Sequence, residues 1–221
     1  MFTHDVSIAF TPQSRVTGLA ISKDGNILAW SEKMGLLNVL VDEIKPKSIS
    51  IEGEIQGLFI RKKHLYTGDD NFGVRCFDDS LEIVWECQIN GGASIIEECD
   101  EFLAVVDNLG RLVIVDYFGE ILTKNLSFSS IIKILRCDLG LIIIQEDGSV
   151  FCFDGTKIIW NRPARGEVGE SITCVGISLS GGLVIGREGY ALVPGNEEAL
   201  EIEVWNIKTN KLLMRDEIKN R

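Results

Sequence analysis

The chain has 221 residues, a formal charge of −11 at pH 7, 45% hydrophobic and 25% charged residues. This is enough to bury a sizeable core, and four prolines with no polar low-complexity tract argue against long disordered linkers. An acidic surface repels phosphate backbones, which sets nucleic-acid binding aside and leaves solubility or a basic partner surface as the meaning of the charge.

The opening MFTHDVSIAF has no basic n-region, and the longest apolar runs, such as LGLIIIQ near Ile143, fall far short of a membrane span. A cytoplasmic protein with no membrane segment is therefore expected. The six cysteines (Cys76, Cys87, Cys99, Cys137, Cys152, Cys174) form no CxxC pair and lie mostly in apolar runs, the pattern of buried reduced thiols. His4 and His64 are the only histidines and neither sits near a cysteine cluster, so no metal is assigned.

Residues 5–10 (DVSIAF) read as a strand preceding a five-fold internal repeat. An apolar residue opens a short strand at Leu28, Leu65, Leu103, Leu141 and Leu183. A turn glycine follows at Gly35, Gly73, Gly110 and Gly148, and an Asp closes the next strand at Asp78, Asp116 and Asp154. The period is about 38 residues. In the last unit the equivalent of that Asp is Asn206, displaced by an insertion of about a dozen residues. The units run approximately 14–52, 53–90, 91–127, 128–166 and 167–218 within one domain covering 1–221. Each reads as four short strands. In the second unit these are 55–60, 63–69, 74–78 and 82–89, with Asp, Asn and Gly in the turns. No stretch carries a sustained helical period.

The third strand of each unit is apolar on both faces: Val74 and Cys76 against Phe77, Leu112 and Ile114 against Val115, Val150 and Cys152 against Phe153. A sheet packed between two neighbours requires that, whereas a sheet with one wet face would alternate. An all-β propeller of about five four-stranded antiparallel blades follows, either closed by the strand at 5–10 or an incomplete ring that associates through open edges.

The second unit, HLYTGDDNFGVRCFDDSLEIVWECQI, and the fourth, GLIIIQEDGSVFCFDGTKIIW, resemble propeller repeats of the pyrroloquinoline-quinone type, with Trp85 and Trp160 closing the motif. The first unit and the last, IEVWNIKTNKLLM, are similar to WD repeats, Trp205-Asn206 standing for Trp-Asp. The resemblance covers about residues 14–218 and implies a propeller scaffold. The Gly-His pair of WD repeats is absent, as is the adjacent cysteine pair that suits a quinone dehydrogenase, so no cofactor is assigned.

Site candidates are few. Asp69, Asp70 and Asn71 do not have calcium-loop spacing and read as turn formers. Asp78, Asp116 and Asp154 recur once per unit, which marks a structural device accepting backbone N–H groups rather than a catalytic acid. The insertion at 187–201 (REGYALVPGNEEALE) is the one departure from the repeat, joining the second and third strands of the last unit. An alternative register makes 189–193 the third strand. Arg187, Glu188, Tyr190 and Asn196 are the expected partner contacts there. The connection 162–170 (RPARGEVGE) adds Arg162 and Arg165 as a small basic spot on the same face. The expected function is a non-enzymatic module binding a protein or peptide. The competing readings are a propeller enzyme, a quinone-dependent dehydrogenase or hydrolase, and a self-assembling half-ring.

Overall fold

The computed structural model describes residues 10–42, 45–126, 128, 130–165, 170–178, 180–189 and 200–218. Among them are five four-stranded sheets, each built from consecutive strands in sequence order. The first holds β1 (Val16–Ile21), β2 (Ile27–Glu32), β3 (Leu36–Val41) and β4 (Lys47–Ser50). The second holds β5 (Ile55–Arg61), β6 (His64–Asp69), β7 (Gly73–Phe77) and β8 (Ile83–Gln88). The third holds β9 (Ile95–Glu98), β10 (Leu103–Val106), β11 (Leu112–Val115) and β12 (Ile121–Leu126). The fourth holds β13 (Ile131–Cys137), β14 (Gly140–Gln145), β15 (Val150–Phe153) and β16 (Ile158–Arg162). The fifth holds β17 (Glu170–Ile177), β18 (Gly182–Gly189), β19 (Leu200–Asn206) and β20 (Lys211–Ile218). A 3-10 turn at Lys33–Gly35 is the only helical element among the described residues. The expected strand at 5–10 lies outside them except for Phe10, which stacks on Trp30 with ring centroids 5.8 Å apart.

The chain divides into two compact units: Met1–Leu109 with Val113–Lys124, and Gly110–Leu112 with Asn125–Arg221. In the first unit, Ile27, Ala29, Leu37 and Val39 of the first sheet share a core with Ile55, Leu65 and Phe77 of the second. Tyr66, Val74, Cys76 and Cys87, on the other face of the second sheet, share a core with Leu103, Val105 and Val115. In the second unit, Ile142, Ile144, Val150, Cys152 and Trp160 of the fourth sheet meet Leu183 and Ile185 of the fifth. The third strands are thus buried on both faces: Val74, Leu112, Val150, Cys152 and Val115 are fully enclosed, and Phe77 and Phe153 are 1% exposed.

The turns follow from the same repeat. Gly35, Gly73, Gly110 and Gly148 all take positive φ (77°, 138°, 72° and 88°), where a side chain would be strained. At the next turn the Asp Oδ1 accepts two backbone N–H groups: Ser80 (2.8 Å) and Glu82 (3.0 Å) at Asp78, Phe118 and Glu120 (both 2.8 Å) at Asp116, and Thr156 (2.8 Å) and Lys157 (2.9 Å) at Asp154. Asn206 does the same for Thr209 at 3.1 Å. These are Asx turns, and they occupy the carboxylates structurally. β19 pairs with β18 as Leu183↔Trp205 and Arg187↔Glu201, which places 200–206 as the third strand and rejects 189–193 for that role. All six cysteines are free thiols, five of them buried and Cys174 exposed.

Removing a ring from a two-sided core leaves a cavity that cannot collapse from either side. Phe77→Ala and Phe153→Ala are each expected to lower unfolding stability by about 3–5 kcal/mol in urea titration. Phe118→Ala, at a ring 83% exposed, is expected to stay within about 0.5 kcal/mol.

Candidate functional site

In every sheet a polar residue stands four positions after the leucine of the second strand: Glu32, Asp69, Asp107, Gln145 and Arg187. All five are buried. In the first four sheets the residue carries an acceptor. Glu32 accepts from the Ser14 N–H (2.6 Å), Trp30 Nε1 (3.1 Å) and Asn38 Nδ2 (3.2 Å). Asp69 accepts from the N–H of Phe72 (2.8 Å), and Asp107 from the N–H of Leu109 (2.9 Å), so in these sheets the carboxylate closes the tight turn that follows. In the fifth sheet β18 ends at Gly189 and β19 starts at Leu200, with residues 190–199 between them, and the position is an arginine.

A position diagonal to it on the third strand, opposite the residue two before it, changes sign between the second and fifth sheets. By the strand registers, Asn38, Arg75 and Glu203 are equivalent. The second sheet therefore pairs Asp69 with Arg75, which also bonds Glu86 Oε1 at 2.9 Å. The fifth sheet pairs Arg187 with Glu203 at 3.9 Å, acid and base exchanged.

Around that exchanged pair the second unit gathers four guanidinium groups and three carboxylates. Arg162, at the end of β16, binds Glu170 Oε1 through Nη1, Glu203 Oε2 through Nε (2.8 Å) and Glu203 Oε1 through Nη2 (3.3 Å). It also donates to the Gly148 carbonyl at 3.2 Å. Arg187 binds the other oxygen of Glu170 at 2.5 Å and Glu201 Oε2 at 2.6 Å. Trp205 Nε1 donates to Glu203 at 2.9 Å. On the outside, Arg165 Nη1 lies 2.7 Å from Glu201 Oε2 and 3.3 Å from Glu203 Oε1, and Arg215 Nη2 lies 3.3 Å from Glu203 Oε1. Gly148 is required here: a Cβ on it would strike the Glu170 side chain.

The electrostatics separate the two forms of the pair. Burial opposes the Glu203 charge, but hydrogen bonds from Arg162 and Trp205 and the charges of Arg162 and Arg165 outweigh it and hold the carboxyl at about 2. The Arg187 hydrogen bond, against burial, keeps Glu201 below its ordinary value. Burial works against the charge on Arg162 and Arg187, and the glutamates more than offset it, so both guanidiniums are held charged more firmly than usual. Asp69 goes the other way: its burial outweighs the Phe72 N–H and Arg75 and raises it. Desolvation decides at Asp69, whereas hydrogen bonds from the guanidiniums and Trp205, reinforced by the guanidinium charges, decide at Glu201 and Glu203.

Of the six residues expected to contact a partner, the structure brings Arg162, Arg165 and Arg187 together, with Glu188 on the strand next to Glu170 at the same end of the fifth sheet. Arg162 and Arg187 are only 3% and 9% exposed, their charge enclosed by carboxylates, so the open basic surface of the group is Arg165 with Arg215. Tyr190 and Asn196 lie outside the described residues. Glu170, Glu201, Glu203 and Arg215 were not anticipated. Their signal was present: Glu203 falls where the third and fourth units carry Val113 and Phe151, and Arg187 where other units carry acids or an amide. Among the described residues, no three His, Cys, Asp or Glu side chains converge as a metal-binding group, and no helix is long and apolar enough to cross a membrane.

No family model and no curated protein matches the sequence. Solved structures do match in fold. The computationally designed Ika8 protein superimposes with a TM-score of 0.69 at 18% identity, over 92% of this chain and 62% of its own. BamB from Moraxella catarrhalis gives 0.67 at 14% identity, over 94% and 63%. The β-propeller domain of Cps50 (Swd1) from Myceliophteria thermophila gives 0.61 at 12%, over 96% and 88%. The fold is that of a β-propeller repeat protein with five four-stranded blades. The chain spans about three-fifths of the length of the first two of these proteins.

Because the folded state keeps Glu203 ionised down to about pH 2, while the unfolded chain takes up its proton near the ordinary glutamate value, the pair stabilises fully above about pH 5 and progressively less as pH falls towards 2. Unfolding free energy measured against pH is expected to fall across that window. Glu203→Gln is expected to flatten the fall and to cost about 3 kcal/mol at neutral pH by unpairing buried guanidiniums.

Proposed function

We propose that this chain is a non-enzymatic interaction module that docks a protein partner at the end of its fifth sheet where Arg165 and Arg215 reach the surface. The observation that carries this reading is the break in the repeat. The buried polar position that closes a turn with a carboxylate in the second and third sheets holds an arginine in the fifth, inside a charged network whose outer members remain open. A position serving only the fold would repeat with the fold.

The chemistry of the group supports binding over catalysis. General acid–base work at neutral pH needs a titratable group poised near that pH. Glu201 and Glu203 are instead held firmly ionised, Arg162 and Arg187 firmly protonated, and the recurring Asp side chains are occupied by Asx turns. Binding energy at such a surface comes from rigid, pre-oriented donors.

A photo-crosslinking residue at position 165 in the source cells is expected to yield one discrete protein adduct, and the purified partner to form a stoichiometric complex with the chain. The same residue at Asn210, in the turn at the opposite end of the fifth sheet, is expected to yield none. Equal labelling at both ends, or no adduct at 165, would remove this reading. Quinone absorbance in the protein isolated from those cells would favour a dehydrogenase instead.

A further inference from the structure

We infer that Arg165 and Arg215 form a receptor for a single carboxylate side chain of the docked partner. This deepens the interaction reading and rests on it.

Among the described residues, four guanidiniums face three carboxylates, one positive charge more than the acids balance. The two inner arginines are buried among the glutamates they bind. The two outer ones are not. Arg165 engages the glutamates through Nη1 alone, leaving Nε and Nη2 without a described partner. Arg215 hydrogen-bonds through Nη2 alone, its Nε standing 3.9 Å from Glu201 and its Nη1 without a described partner. Their side chains are 30% and 38% exposed, against 3% for Arg162.

Each outer guanidinium is therefore anchored at one nitrogen and presents others to solvent. A planar fork held in this way matches a carboxylate, which accepts two parallel N–H bonds. Charge selects among anions. One carboxylate offsets the one-charge excess of guanidiniums among these described groups. A phosphate monoester, carrying about −1.5 to −2 at pH 7, would leave uncompensated negative charge above three glutamates. The chain's own charge of −11 disfavours long polyacidic tracts at distances within the Debye length. The recognised feature is thus one Asp or Glu in a neutral or basic segment.

The probe is N-acetylglutamate α-amide, with N-acetylglutamine α-amide and inorganic phosphate as controls. The readout is the guanidinium Nε–H resonances of the 15N-labelled protein, assigned with Arg165→Gln and Arg215→Gln. The glutamate compound is expected to shift both resonances saturably and the glutamine compound to shift neither. Affinity is expected to drop at least tenfold in R165Q/R215Q, whose backbone amide resonances away from the fifth sheet are expected to match the parent's and so show that the double variant is folded. Three results would each overturn the inference: no saturable shift, no loss in the double variant, or phosphate binding more than tenfold tighter than the carboxylate. If position 165 crosslinks a partner but the carboxylate does not bind, only this inference fails. If the carboxylate binds but no partner is found there, the receptor stands and the interaction reading fails.

Discussion

Each sheet between two others must bury both of its faces. The second sheet shows this directly: Phe77 lies in the core shared with the first sheet, and Val74 and Cys76, three residues and one residue earlier on the strand, lie in the core shared with the third. A four-stranded sheet alone would leave both surfaces wet, and burial of apolar area is the main favourable contribution to folding. Nearest-neighbour packing of this kind makes the repeat a requirement, since any unit that loses its apolar face unsettles two cores.

The same constraint gives the charged group its character. The position four residues after the leucine of the second strand shares a face with the leucine and points towards the neighbouring sheet. Anything polar there is enclosed and must find partners. In the second and third sheets the turn supplies N–H groups and an Asp suffices. In the fifth sheet residues 190–199 separate the two strands, and Arg187 is met by Glu170 and Glu201 across strands, with Glu203 and Arg162 completing the group. Replacing such buried ion groups by well-packed hydrophobic residues is often neutral or stabilising. Their contribution is better understood as fixing one arrangement of β16, β17, β18 and β19, which then holds Arg165 and Arg215 in place.

Much of the fold was legible because its signals are local and repeated. The strand-opening leucines, the turn glycines and the Asx acids each obey a backbone rule that acts within a few residues. Positive φ at Gly73 and Gly148 and the two N–H groups bound by Asp116 need no knowledge of the rest of the chain. The candidate site was legible only in part. Arg162, Arg165 and Arg187 can be picked out from the sequence as basic residues, and the structure sets them around shared glutamates that were not anticipated from it. The glutamates that enclose them stand as far as 41 positions along the sequence, about one repeat away, and only lateral packing of the fourth and fifth sheets makes them neighbours.

The sequence by itself determined an all-β array of five four-stranded units, the two-sided burial of the third strands in the second, third and fourth units, and the use of recurring Asp residues as turn acceptors. Periodicity encodes these because every unit meets the same surroundings. Tertiary structure alone decided which arginines are enclosed and which are open. That depends on where three carboxylates from β17 and β19 arrive relative to β16 and β18, a matter of packing between sheets that no single strand's pattern contains.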